Sequence, residues 1–251
     1  MRVQLLSDLH LEFHRDGGRS FLESLDPSGV DVLVLAGDVD VAAGGLLQSL
    51  TMICRLYRDS SVVYVAGNHE FYNSDPVTVG RVLGRVRDGY CNFTWLDDEV
   101  VELGGVRFLG TTLWFPRGDA GPDVKGMLND FTLIEDFEPW VYAANARAVD
   151  FLTREVRRGD VVVTHHLPSP QCVSSRYVGS ILNQFFVCDL TELVENRRPL
   201  LWLFGHTHDS VRFFMKPTGD TLLCCNPLGY SPDDLNPNFR EKLTVDVGGK
   251  I

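Results

Sequence analysis

The sequence predicts an α/β fold in which parallel β-α-β units build one sheet and a second sheet packs against it. Three observations point there. Buried apolar runs alternate with helical spacings through the amino-terminal third, a hairpin pattern takes over in mid-chain, and the carboxyl-terminal third is dense in short strand-like runs that a stacked sheet would bury.

Val3-Gln4-Leu5-Leu6 reads as the first strand and stops at Ser7-Asp8-Leu9-His10. Residues 16–29 are rich in Gly, Asp and Ser, a loop around a short helix at Phe21, Leu22 and Leu25. A second strand over 30–36 is apolar and β-branched, and it ends abruptly at Gly37-Asp38. Leu46, Leu47, Leu50, Ile53, Cys54 and Tyr57 recur at helical spacing and supply a crossover to the strand at 61–66, which exits into Gly67-Asn68-His69-Glu70. Such repeats close right-handed with parallel strands. Val79, Val82, Leu83 and Val86 mark the next helix.

Val100-Val101-Glu102-Leu103 and Val106-Arg107-Phe108-Leu109 flank Gly104-Gly105, a hairpin signal. Residues 116–138 carry no clear period and read as a long surface excursion near the site, where specificity could sit. A helix suits 141–156, and a buried strand at 161–164 exits into His165-His166. Residues 169–186 are irregular and 188–196 suit a short helix. The most apolar run, Leu200 to Phe204, ends in Gly205-His206-Thr207-His208. Strands follow at 211–215, 221–225 and 242–247, with turns at Pro217-Thr218-Gly219-Asp220 and Asn236-Pro237.

At 251 residues the chain is expected to form one domain over 1–251. Lys plus Arg (23) against Asp plus Glu (34) gives a charge of −11, which opposes broad electrostatic adhesion to nucleic acid or anionic membrane. The six cysteines include no C-x-x-C and look like reduced core residues. Asp8 interrupts the amino-terminal apolar stretch too soon for a signal-peptide core, and no run approaches the about eighteen apolar residues of a membrane helix. A cytoplasmic protein without membrane partners is expected.

Six of the seven histidines lie in four turns that follow buried strands, and the fifth such turn carries Asp38. In an extended segment, residues two apart face the same way, so Asp8 and His10 are expected to reach one ion together. Carboxylate, imidazole and side-chain amide without thiolate suit Mn, Fe, Zn or Mg rather than a structural zinc knot. Asp8, His10, Asp38, Asp40, Asn68, His165, His166, His206 and His208 exceed the needs of one tetrahedral site. Two ions bridged by Asp38 are the economical answer. Cations ~3.5–4 Å apart hold a water, lower its pKa and clamp both ends of an in-line displacement, which is phosphoryl chemistry.

The ordered blocks D-x-H, G-D, G-N-H-E, H and G-H-x-H, from Asp8 to His208, resemble the calcineurin-like metallophosphoesterase family. The resemblance implies a four-layer α/β/β/α sandwich, two packed mixed sheets flanked by helices. It implies one ion on Asp8, His10, Asp38 and His208 and another on Asp38, Asn68, His165 and His206, with His165 preferred to His166 as the first residue after its strand. Mn2+ is the expected metal, with Fe, Zn, Mg, Ni or Co as others. His69 takes the family's general-acid position, without binding metal. The implied function is a dinuclear metal-dependent phosphoesterase that hydrolyses a phosphodiester or small phosphoester by attack of a metal-bridging hydroxide.

Asp40 reads either as a group that orients a ligand or as a plain turn aspartate. Glu12, Glu70 and Asp209 could do similar orienting work or simply face solvent and stay outside the ligand set, and Arg176 and Tyr177 are candidate substrate contacts. Where the family's protein phosphatases carry Asp-Arg-Gly, this chain has Asp40 followed by Val41-Ala42-Ala43. The missing phosphate-binding Arg disfavours doubly charged monoesters and protein phosphatase activity. Two alternatives compete: a non-catalytic binding scaffold of the same fold, against which the full donor set argues, and a DNA nuclease, which the acidic balance disfavours.

Overall fold

The structure is a computed structural model describing residues 1–217 and 219–248; Thr218 of the expected turn and the last three residues of the expected 1–251 domain lie outside the described residues. The amino-terminal half runs β1 (Arg2–Leu6), α1 (Arg19–Ser24), β2 (Val32–Ala36), α2 (Leu46–Leu56), β3 (Ser61–Val65), α3 (Pro76–Gly89) and β4 (Phe93–Trp95). Strands β1 to β4 pair in parallel. All five residues of β2 are buried, as a central parallel strand covered on both faces requires. Helix α3 starts where Asp75 accepts from the Thr78 N–H (2.7 Å) and Pro76 takes the first turn.

The chain then forms the expected hairpin, β5 (Glu99–Leu103) and β6 (Val106–Thr111), across Gly104 and Gly105, both with positive φ. The excursion is not structureless. It contains α4 (Pro122–Lys125) and α5 (Asp130–Leu133), and α6 (Phe137–Glu155) begins ahead of the expected 141–156 helix. Next come β7 (Val161–Thr164), α7 (Thr191–Arg197), β8 (Leu201–Phe204), β9 (Val211–Phe214), β10 (Leu222–Cys225), β11 (Gly229–Tyr230), β12 (Asp234–Leu235) and β13 (Thr244–Asp246).

The second sheet has the order β5-β6-β7-β8-β10-β9, and the first β13-β1-β2-β3-β4. The carboxyl-terminal strands are therefore divided: β8 to β10 build the second sheet, β13 returns to the edge of the first beside β1, and β11 pairs with β12 in a separate ribbon. Alternation along each strand makes the layers. Val3, Leu5, Val32 and Val34 meet Phe108, Val161, Val163 and Leu203 between the sheets. Leu33, Leu35 and Tyr64 face α1 to α3, and Val162, Trp202 and Leu223 face the side of α6 and α7. This is the mixed α/β/β/α sandwich.

All six cysteines are free, five of them buried. No helix among the described residues is long and apolar enough to cross a membrane. The carboxyl ends of β1, β2, β3, β7 and β8 share one rim, where open α/β sheets place their sites.

Candidate metal centre

The rim brings the donors together through unusual backbone. Asp8, His10, Asp38, His206 and His208 all adopt left-handed conformations, with φ of 50°, 45°, 54°, 68° and 52°. Non-glycine residues are sparsely found there and are strained by about 1–3 kcal/mol each, a cost that the surrounding structure must offset. Asp8 and His10 thus converge by turning, not by the strand alternation expected from their spacing. The preceding glycines permit the approach. A Cβ on Gly67 would collide with Asp38 Oδ1 and the His165 ring, and one on Gly205 with Asp8 Oδ2 and the Ala36 carbonyl.

Two of the donor groups that result, each with its atoms within 4.8 Å of one another, are Asp8, His10, Asp38 and His208, and Asp38, His165 and His206; His10, Glu12 and His69 form a third beside them. Asp38 belongs to the first two. Its Oδ2 lies 3.7 Å from His10 Nε2 and 3.4 Å from His165 Nε2. His208 Nε2 lies 3.6 Å from Asp8 Oδ1 and 3.0 Å from His10 Nε2. Asn68 joins the second group, its Oδ1 3.0 Å from His165 Nε2. His165 Nδ1–H donates to the Ala36 carbonyl (2.8 Å), which leaves Nε2 facing the group.

His166 is fully buried and belongs to none of these groups, although its ring lies 4.3 Å from that of His206, centroid to centroid. Its Nδ1 meets the Thr112 carbonyl (3.3 Å), and its ring packs against Trp114 and Phe115. Of the two histidines, His165 belongs to a donor group and His166 does not. Burial and the neighbouring His165 push the His166 imidazole down to about 3.

The electrostatics fit a cation. Burial lowers the His165 imidazole, but the Asp38 carboxylate outweighs it and pushes the pKa up to about 10. Burial likewise raises Asp38, while His165, His69 and His10 together hold it well below the usual carboxylate range. Protons here do what a divalent ion would do at the same donors, and binding such an ion releases them. Asp8 Oδ2 and His206 Nε2 are buried without a hydrogen-bond partner among the described residues. This donor set therefore fits divalent cations.

Several residues around the donors lie outside the ligand set read from sequence, Glu12 and Glu70 among those with an orienting role left open and Tyr230 not identified at all. Glu12 Oε1 accepts from His69 Nδ1–H (2.8 Å) and lies 3.4 Å from His10 Nδ1. On the other side of the ring, His69 Nε2 faces the Tyr230 hydroxyl at 3.2 Å. The Tyr230 ring also lies 4.4 Å from His10 and 4.5 Å from His208, centroid to centroid. Glu70 is fully buried and accepts from the Gly67, Asp38 and Val39 N–H groups and the Tyr64 hydroxyl. Burial and the Asp38 charge still push it up to about 7. The only sequence signal was the spacing of Glu12 behind His10 and of Glu70 behind His69; Tyr230 left none.

Asp40 is a turn aspartate. It accepts from the Ser49 hydroxyl (2.6 Å) and the Val41 N–H (2.8 Å) and so braces the start of α2. Asp209 pairs with Arg176 at 2.7 Å, and that guanidinium also stacks over Tyr177. Of the two expected substrate contacts, Tyr177 lines the cavity beside the donors and Arg176 does not.

That cavity measures about 360 Å3 and opens on Asp38, Asn68, His69, His206 and His208. The excursion supplies one wall with Met127, Leu128 and Asn129, and the 169–187 loop another with Val173, Leu182 and Asn183. Three carboxylates, of Asp38, Asp130 and Asp234, line it, and among the described residues no Lys or Arg does.

Comparison with known proteins agrees with this architecture. A protein of Acanthamoeba polyphaga mimivirus without assigned activity is 26% identical over 98% of this chain and 97% of its own length. A metallophosphoesterase of Helicobacter pylori is 27% identical over 51% of this chain and 34% of its own. Among solved structures, the phosphopantetheinyl hydrolase of Mycobacterium tuberculosis superposes with a TM-score of 0.69 at 18% identity, covering 91% of this chain and 89% of that one. The sequence model of the calcineurin-like phosphoesterases matches residues 1–210, and the chain belongs to that family.

Proposed function

We propose that the chain, a metal-dependent phosphoester hydrolase by family, works as a dinuclear phosphodiesterase on small organic phosphodiesters. The observation that carries this reading is Asp38, shared between two donor groups at the mouth of a cavity that no lysine or arginine lines among the described residues. Asp8, His10, Asp38 and His208 would hold one ion, and Asp38, Asn68, His165 and His206 the other, Mn2+ being the metal to try first. Bound there, two divalent cations supply Lewis acidity, bringing a water's pKa toward neutrality and drawing charge off a phosphoryl oxygen.

The chain's own groups handle the leaving oxygen. Burial lowers the His69 imidazole, while Asp38 and Glu12 raise it and prevail; with cations on Asp38, Glu12 is the carboxylate that still favours a protonated ring. Glu12 holds the Nδ1–H, which leaves Nε2, beside Tyr230, as the atom that gives its proton to the departing alkoxide. Tyr230 holds that nitrogen in the cavity until substrate displaces it.

Charge selects the substrate. A phosphomonoester dianion gains more than a diester from a cation beyond the metals, and the described lining offers carboxylates instead. A diester carries one charge less, and its second organic group fits a cavity of about 360 Å3 with apolar walls. Single-stranded nucleic acid would need a basic track that the lining lacks. A non-catalytic scaffold is disfavoured by the complete donor set and by the poised His69.

The test is a screen of monoesters, linear diesters and cyclic nucleotides with manganese-loaded protein, with a phosphopantetheinyl conjugate included. Preferred turnover of linear diesters, lost in Asp38→Ala, is expected. Equal or better turnover of monoesters would reject the diester assignment, and hydrolysis unaffected by Asp38→Ala would reject the metal assignment.

A further inference from the structure

The Asn68 amide has two ends, and only its oxygen can hold a metal. Its Oδ1 faces His165 Nε2, while its Nδ2 donates to Asp130 Oδ1 (2.9 Å) and to the Tyr72 hydroxyl (3.1 Å). The Tyr72 hydroxyl in turn donates to the same Asp130 oxygen (2.8 Å). Asp130 is completely buried, and it belongs to α5 in the middle of the 116–138 excursion. None of the sequence blocks that mark the site contains it.

We infer that Asp130 is a positioning residue: it reads the two ends of the Asn68 amide and turns the carbonyl oxygen toward the ion that Asn68 is proposed to hold. An amide rotated by half a turn would present its N–H groups to a cation, and little in its own shape opposes that rotation. Asp130 opposes it because Oδ1 accepts from both Nδ2 and the Tyr72 hydroxyl, so an inverted amide would set oxygen against oxygen. Burial makes the mismatch costly.

The same contact fixes the excursion. Asn73 N–H donates to the Leu133 carbonyl (2.7 Å) and Glu135 N–H to the Ser74 carbonyl (3.0 Å), so α5 is laced to the segment that follows Asn68. The excursion is thereby hydrogen-bonded into the wall beside the donors.

This inference rests on Asn68 being a ligand, and a thermodynamic cycle separates the two claims. Mn2+ is titrated calorimetrically into the chelator-treated full chain as wild type and as Asn68→Ala, Asp130→Leu, Asp130→Asn, Asn68→Asp and Asn68→Asp/Asp130→Leu. Asp130→Leu removes the acceptor and should weaken one of the two sites by about 10–100-fold, as lost partners of metal ligands do. Asp130→Asn keeps an acceptor oxygen and should restore most of that affinity.

A carboxylate at position 68 has no wrong end, and one of its oxygens would face Asp130 Oδ1, so in the Asn68→Asp background Asp130→Leu should leave Mn2+ affinity unchanged or raise it by relieving that repulsion. Equal losses in both backgrounds, or no loss in either, would overturn the proposal while leaving Asn68 a ligand. Unchanged Mn2+ binding by Asn68→Ala would overturn both. Should Asp130→Leu fail to fold, Asp130→Ala takes its place in the same cycle.

Discussion

Glu70 and Asp38 touch through the backbone and not through their side chains. The Glu70 carboxylate accepts the Asp38 N–H at 3.1 Å and the Val39 N–H at 2.8 Å, and with its remaining capacity the Gly67 N–H at 2.7 Å. One buried acid thereby fastens the exit of β2 to the exit of β3 and holds Asp38 in its left-handed conformation. Glu70→Gln would turn an amide donor toward these backbone donors and leave at least one buried N–H unpaired. The expected cost is about 2–4 kcal/mol, or roughly 5–15 °C in Tm for a chain of this size. An unshifted melting curve would show that the turn holds itself.

Five left-handed donors at one rim make the apo centre costly, and metal should offset that cost. Ligand present at 100 times its Kd stabilises the folded state by about 2.7 kcal/mol. Chelator-treated protein should therefore melt several degrees below the Mn2+-loaded form, and Asp38→Ala should abolish the difference. A metal-dependent shift that survives in Asp38→Ala would place the ions elsewhere.

His69 and Glu12 should act as a pair. His69→Ala is expected to retain both metals yet to lower turnover most for diesters with poor leaving groups. Glu12→Gln removes the charge that faces Nδ1 and should cost about tenfold on the same substrates, ~1.4 kcal/mol in the barrier. In the double variant the two effects should not add, because Glu12 acts only through the imidazole. A plot of kcat against leaving-group pKa, with flat losses for His69→Ala, would remove the proton-transfer role.

The order of strands and helices was legible because parallel strands buried on both faces read as unbroken apolar runs, as in Val32 to Ala36. The donors were legible because strand exits are local in sequence. What escaped depends on distant packing. Tyr230 reaches His69 from β11 at the far end of the chain, and Asp130 reaches Asn68 from a stretch whose short helices carry no apolar period. The division of the last strands between sheets escaped for the same reason, since β13 pairs with β1 through Arg2 and Asp246 at opposite ends of the chain. The left-handed backbone of Asp8 and His10 escaped because only Gly or Asn would have advertised it.

The cavity's lack of a cation can be reversed by design. Leu182 is half-buried in the cavity wall, on the 169–187 loop, so a lysine there adds its charge to the lining. Leu182→Lys adds one positive charge to a lining of carboxylates, amides and apolar groups. A dianionic monoester gains more from that charge than a monoanionic diester does, by about 1 kcal/mol or more at the effective dielectric of such a site. The ratio of kcat/KM for a monoester over the matched diester should therefore rise about fivefold or more, and the gain should shrink with added salt as screening sets in. If the ratio stays at its wild-type value while the variant folds and binds Mn2+ normally, charge in the lining is not what separates the two substrate classes.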